Sequence, residues 1–397
     1  MENFYVRTFK TMKFLLLILT ALQVVTSLMN TLQNSRSVSK RRSLLYSTID
    51  DALLTVRWDQ FVEKHVGRWC GIQSCHYHLD EEDSSASDRI LCGTLLTLND
   101  KTIDHTNFYV VSPIDFVSED AVITSDKIVS QNVATYQRPI ISSKVCGSVA
   151  MGGPAMSRNG LSIQFSFRHE DCRMRVMVAY EPSDFVAVPS TSIQIPSSLS
   201  MTDITISREK RLDDNQVSSP LKELPPAKSF TESNPHYLWR KTSMDDFGGK
   251  FSGVRDIYLK TGGDVDAPRS EAIPLGPLPF YEEYEENFQN ALLAEDVLDI
   301  KGDIDDDDQL DFAKIYDGGL LIEAPLVILA GELSNVKISW SVPNSGGVSD
   351  SQTVYIADAS FTSMNDAVNK TRRKRRGDNF VDQPILTDFS VQTLVRE

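Results

Sequence analysis

Cys70, Cys75, His76 and His78 are the residues whose types could hold a metal, since thiolates and imidazoles are the usual zinc ligands. Their spacing argues for a strand instead. In an extended chain His76 and His78 share one face, and Cys75 and Tyr77 share the other. No second Cys-x-x-Cys completes a four-ligand set, so no metal is expected. The run Asp303 to Asp308 has the look of a calcium loop. Counted from Asp303, an EF-hand needs Gly where Asp308 stands and Glu where Lys314 stands, and both positions fail. Asp305, Asp306, Asp307 and Asp308 are therefore read as part of a solvated acidic segment, 281–311, able to meet a basic partner surface. Arg372, Arg373, Lys374, Arg375 and Arg376 form the opposite patch, in an expected hairpin loop. No aromatic residues interleave with that run, which disfavours nucleic-acid stacking and leaves an exposed loop balancing nearby acids or a protein-partner contact.

Arg173 and Arg175 lie on one face of an alternating stretch. Turned inward, they could bind a carboxylate or a propionate. Met174, Val176 and Val178 occupy the other face, so the expectation is that the two arginines face outward. No nucleophile elbow, phosphate-binding Gly-rich loop or His-Glu-x-x-His motif is present. No catalytic residue and no cofactor is assigned, and the chain is read as a non-enzyme.

The elements that must position these residues are mostly strands. Residues 161–167, 172–180 and 336–342 alternate apolar and polar, as half-buried strands do. Residues 51–65 carry a helical stripe, and 282–298 a weaker one. The two halves share landmarks. Trp58 and Phe61 precede Gly67-Arg68-Trp69-Cys70-Gly71, while Tyr237 and Trp239 precede Gly249-Lys250-Phe251-Ser252-Gly253. Gly152-Gly153-Pro154 is matched with Gly318-Gly319 and Ala324-Pro325, and the closing pair Arg208-Glu209 with Arg396-Glu397. These marks in one order indicate an internal repeat.

A Gly-x-aromatic pair entering the first strand is also the opening of lipocalin-type barrels. There the ring seals one end and the glycine lets a helix or loop pass beneath it. Trp58, Gly67, Trp69 and Gly71 take this barrel-closing role in the first half, and Gly249, Phe251 and Gly253 in the second. Trp58–Gly71, Gly318–Trp340 and Leu394–Glu397 together resemble the family called domain of unknown function 3598. The resemblance spans roughly 49–397. It implies two lipocalin-like (calycin) barrels related to the C-terminal region of the plant chloroplast biogenesis factor required for ATP synthase. Phe251, where that family has a second-half Trp, and the acidic insertion depart from the pattern.

The chain has 397 residues, enough for two such domains, and its 40 Lys+Arg against 55 Asp+Glu give a net charge of −15. That balance argues against a general nucleic-acid binder. Five cysteines are too few for a disulfide scaffold. Residues 1–48 hold seven Lys/Arg and one acid, Glu2, a charge of +6. Lys13 precedes an apolar run, 14–25, of signal-peptide length and too short for a comfortable membrane span. Residues 28–48 are rich in Ser, Lys and Arg and lack acids, a transit-like composition. Either Met1 or Met12 serves as a start.

The expected organisation is a signal peptide (1–27), a transit-like segment (28–48), a first barrel (49–212), a linker (213–230) and a second barrel (231–397) with the insertion 281–311. The fold class is mainly β: two consecutive antiparallel lipocalin-like barrels with short helices at their entrances. The expected role is a non-catalytic plastid assembly or scaffold factor, docking thylakoid ATP synthase subunits or another thylakoid complex through the charged loops. The alternative is a barrel carrier of a lipid, pigment or bilin, and for localisation the alternative is secretion.

Overall fold

The structure is a computed structural model that describes residues 55–77, 89–99, 102–110, 123–124, 128–137, 145–157, 160–187, 194–212, 223–224, 238, 240–257, 269–278, 311–329, 332–344, 351–362 and 385–397. The leader, most of the linker, the acidic insertion up to residue 310 and the run Arg372–Arg376 lie outside the described residues, as does the weaker helical stripe at 282–298.

The stripe at 51–65 is a helix over 55–65, α1. The rest is mainly β. The first half holds β1 (Gly67–Tyr77), β2 (Arg89–Asn99), β3 (Thr102–Val110), β4 (Ile123–Thr124), β5 (Ile128–Gln137), β6 (Val145–Cys146), β7 (Val149–Ser157), β8 (Gly160–His169), β9 (Cys172–Ala187) and β10 (Gln194–Arg211). After β11 (Glu223–Leu224) come β12 (Phe251–Ile257), β13 (Arg269–Gly276), β14 (Asp311–Tyr316), β15 (Leu320–Pro325) and β16 (Val327–Leu329). The chain ends with β17 (Leu333–Pro343), β18 (Gln352–Thr362) and β19 (Ile385–Arg396). All strand pairings are antiparallel.

One sheet runs β5-β3-β2-β1-β10-β9-β8-β7-β6, and another runs β13-β12-β19-β18-β17-β15-β14. Among the described strands no pairing joins the two ends of either path. The first is nevertheless strongly curled. β3 and β9 are four strands apart, about 19 Å in a flat sheet. Yet Arg175 Nη1 on β9 lies 3.2 Å from His105 Nε2 on β3. Two side chains span that gap only if the sheet bends around a concave face. Helix α1 covers this face through Trp58 and Phe61, which pack with Trp69, Leu96, Ile103, Val145 and Ala150.

The other face of the same strands is covered as well. Phe165, Phe167, Met174, Val176 and Val178 join Val336, Ile338, Trp340, Ala357 and Phe389 in one continuous core between the sheets. Phe167 and Trp340 rings meet at 6.3 Å, and His169 Nδ1 lies 3.1 Å from the Tyr355 hydroxyl. β16 also pairs with β10, setting Leu199 opposite Ile328. The two halves are thus joined by a shared apolar wall and by backbone hydrogen bonds.

The internal repeat is visible in register. Trp69 lies opposite Arg211, and Gly71 opposite Glu209. Phe251 lies opposite Arg396, and Gly253 opposite Leu394. The proposed match of Arg208-Glu209 with Arg396-Glu397 is therefore corrected: Arg396 corresponds to Arg211, and Glu209 to Leu394. Pairing of Gly152 with Gln164 and of Glu323 with Lys337 likewise aligns Pro154 with Pro325. The same register carries Gly147, not Gly152, onto Gly318.

The glycines at the strand entrances have matching reasons. Gly67 and Gly249 have φ of 128° and 102°, a region that excludes most side chains. A Cβ on Gly71 would sit 1.8 Å from the Arg208 carbonyl oxygen, and one on Gly253 would sit 2.1 Å from that of Thr393. Backbone on the neighbouring strand cannot yield as a side chain can. Gly71→Ala and Gly253→Ala should each cost about 1–3 kcal/mol, read as lowered urea midpoints. Gly276→Ala, which meets nothing within 4 Å, is the control.

Candidate functional site

The concave face of the first sheet holds a buried polar network around one carboxylate. Glu209 on β10 is fully buried, and Arg173 and Arg175 on β9 are 1% and 6% exposed. Arg173 Nε donates to Glu209 Oε2 at 2.6 Å. Arg175 donates from Nε to Oε2 at 3.1 Å and from Nη2 to Oε1 at 2.8 Å. Thr94 Oγ1 on β2 donates to Oε1 at 2.7 Å. Burial disfavours the Glu209 carboxylate, but the two guanidiniums and these hydrogen bonds outweigh it and hold the group well below the usual carboxylate range.

Two histidines complete the wall. Arg175 Nη1 donates to His105 Nε2, and burial, with the charges of Arg175 and Arg173, pushes His105 down to about 3. His65, at the end of α1, is fully buried and lies 3.4 Å from Ser166 Oγ through Nδ1. Burial, then the charges of Arg173, Arg168 and Lys64, lowers it well below the ordinary histidine value. Both rings are therefore neutral near pH 7. His65, His105, Gln164, Ser166, Arg173 and Arg175 form the polar side of a cavity of about 20 Å³, room for roughly one water molecule, and Phe61, Leu96, Ala150, Met151 and Gly152 form its apolar side.

Trp69 ties this site to the helix. Its Nε1 donates to the His65 carbonyl at 2.9 Å. Arg168 Nη1 donates to the carbonyls of Glu63 and Lys64, and Arg211 Nη2 to that of Val66. The carbonyls that α1 leaves unbonded at its C-terminus are thus satisfied by groups from β1, β8 and β10. Arg173 also lies over the Trp69 ring, 4.2 Å from its centroid.

Register shows what the second half does at the same positions. Glu209 pairs with Arg173 and Ser207 with Arg175. Leu394 pairs with Val354 and Gln392 with Ile356. Arg173, Arg175 and Glu209 thus correspond to Val354, Ile356 and Leu394. His65, two residues before Gly67, corresponds to Phe247, two before Gly249. Phe247, Val354, Ile356 and Leu394 pack with Phe251 and Leu321 in an apolar cluster. One scaffold carries a charged inner face in one copy and a greasy one in the other.

The outward reading of Arg173 and Arg175 is thereby overturned. The alternation at 172–180 holds in β9, but its apolar face belongs to the wall between the sheets and leaves the arginines inside. Glu209 was seen only as half of a closing pair. Its burial opposite Arg173 depends on strand register, which spacing does not reveal.

The other expected residues are placed as follows. Trp58 and Trp69 are buried beside α1's end of the first sheet, and Phe251 is buried in the second. Gly67, Gly71, Gly249 and Gly253 sit at the strand entrances described above. Cys75 Sγ lies 3.7 Å from Thr205 Oγ1, and the His76 ring meets Tyr316 at 4.9 Å. Cys70 and Cys172 are buried, and Cys75 is partly buried. His78, Asp305–Asp308 and Arg372–Arg376 lie outside the described residues. Among the described residues no cluster of three His, Cys, Asp or Glu could hold a metal ion, and no helix is long and apolar enough to cross a membrane.

No family model matches this chain, and no curated protein matches it. Among solved structures, the crystal structure of a protein with unknown function from the domain of unknown function 3598 family of Nostoc punctiforme aligns with it. The alignment covers 86% of this chain and 99% of that one, at 12% identity and a TM-score of 0.44.

Proposed function

We propose that this chain is a non-catalytic assembly or scaffold factor of the plastid, built from two lipocalin-like barrels of the domain of unknown function 3598 type. Its partners are subunits of the thylakoid ATP synthase or of another thylakoid complex. The landmarks Trp58–Gly71 and Gly318–Trp340 support the family, and the resemblance supplies the partner. The observation that carries the scaffold role is the continuous core between the two sheets, together with an inner cavity of about 20 Å³. A shared wall gives a rigid body, whereas a carrier of a lipid, pigment or bilin needs roughly 300 Å³ or more. The guanidiniums that could hold a propionate are engaged with Glu209. The docking elements are the acidic segment 281–311 and the basic run 372–376.

Docking through such loops is sensitive to salt. Tagged protein recovered from plastid extract should retain ATP synthase subunits at about 50 mM salt and lose them at about 500 mM, where the Debye length is much shorter. Mass spectrometry reads the result, and absence of such subunits at the lower salt refutes this partner. Absorbance of the purified protein and solvent extraction test the carrier reading directly.

A further inference from the structure

The charged inner face of the first sheet has no explanation in the fold itself. The second sheet builds the same registers around Phe247, Val354, Ile356 and Leu394, so the scaffold does not require His65, Arg173, Arg175 and Glu209 at these places. Burying an Arg–Glu–Arg cluster is seldom the more stabilising choice, because desolvation offsets much of the attraction. Retaining one in only one copy points to a ligand.

Three features of the cavity say which kind. Arg173, Arg175 and Glu209 together carry two positive charges and one negative, so the cluster sums to +1. His65 Nε2 is buried, and no hydrogen-bond partner meets it. Ser166 Oγ lies 3.4 Å from Nδ1, and in the tautomer whose Nδ1 accepts from that hydroxyl, Nε2 carries the ring proton as a donor at the cavity wall. Finally, the space fits roughly one water-sized group. An orphaned donor and a net positive cluster around a one-atom space suit a small anion.

We propose that the cavity between His65, Gln164, Ser166 and Arg175 is a binding site for a single-atom monoanion, a halide, held in the first copy alone. The site is independent of the docking loops, so it stands or falls apart from the scaffold role.

The test uses the full chain without its leader. Ionic strength is held constant with gluconate, which is too large for the cavity. A roughly hundredfold rise in chloride should raise the melting midpoint by about 3–6 °C, as a ligand that binds only the folded state does. Formate, with three heavy atoms, exceeds the space and is the negative arm: a response to formate equal to that to chloride overturns the proposal. Bromide-soaked crystals should show an anomalous peak beside His65 and Arg175. The variant carrying Arg173→Val, Arg175→Ile and Glu209→Leu installs the second copy's residues and should lose the anion response. Flat midpoints of the wild-type protein in chloride overturn the proposal whether or not that variant folds. An unchanged response in a folded variant, or bromide found only elsewhere, overturns it too.

Discussion

Glu209→Gln should destabilise this protein by about 3–5 kcal/mol, because it leaves two buried guanidiniums without their counter-charge. The substitution hardly changes shape, so the loss is electrostatic. Glu209 accepts from Arg173, from two nitrogens of Arg175 and from Thr94. A neutral amide can accept at one atom only, and its NH₂ group points donors at donors. Arg173 cannot escape to water, since it is 1% exposed and packed over Trp69. Replacing Arg173, Arg175 and Glu209 together by Val, Ile and Leu should cost far less, within about 2 kcal/mol of wild type, because no charge is then stranded. Urea midpoints of the two variants decide the matter. A triple variant as unstable as Glu209→Gln would mean that packing, not charge, governs this face.

That contrast also shows why the site was only partly legible in the sequence. Strand period was clear: 161–167, 172–180 and 336–342 lie within β8, β9 and β17. The Gly-x-aromatic openings were also clear, because a glycine forced by a crossing carbonyl leaves a local mark. What failed was the direction of a strand buried on both faces. Met174 and Arg175 alternate as core and solvent residues would, yet Met174 faces a second sheet and Arg175 a carboxylate 34 residues away. Period two tells which residues share a face, but not what covers it. The match of Arg396-Glu397 to Arg208-Glu209 failed for a related reason. Pairing, not dipeptide identity, defines equivalent positions, and pairing sets Arg396 with Arg211.

Acid should weaken the fold well before the carboxylates titrate. His65 and His105 are buried and neutral, with His105 pushed down to about 3 and His65 well below its ordinary value. In the unfolded chain both take up protons near pH 6.5. A histidine whose folded value is lowered contributes stability that is complete above about pH 6.5 and is lost as the pH falls toward the folded value. In that window the unfolded state binds more protons, at about 1.4 kcal/mol per pH unit per histidine. Between pH 7.5 and 5 the two residues together should cost about 4 kcal/mol. His76, pushed down to about 4 by burial and by the charges of Arg208 and Lys314, adds to the loss in the same direction, less strongly because it is part-exposed. Glu209 acts in a lower window: its folded value is depressed, so its share is lost only below about pH 4.5. The charges that face the rings are cationic, Arg173, Arg168 and Lys64 at His65 and Arg175 and Arg173 at His105, where the Glu209 carboxylate and the hydrogen bond with Asn107 oppose them. Protonating either ring therefore adds charge to a site that already sums to +1. His65→Phe, which copies the second half's Phe247, should remove about 2 kcal/mol of the acid loss between pH 7.5 and 5. Urea melts of both proteins at the two pH values give the comparison. Equal acid sensitivity in the two would place the loss elsewhere, and no loss in wild type would mean that these rings do not stay neutral in the folded chain.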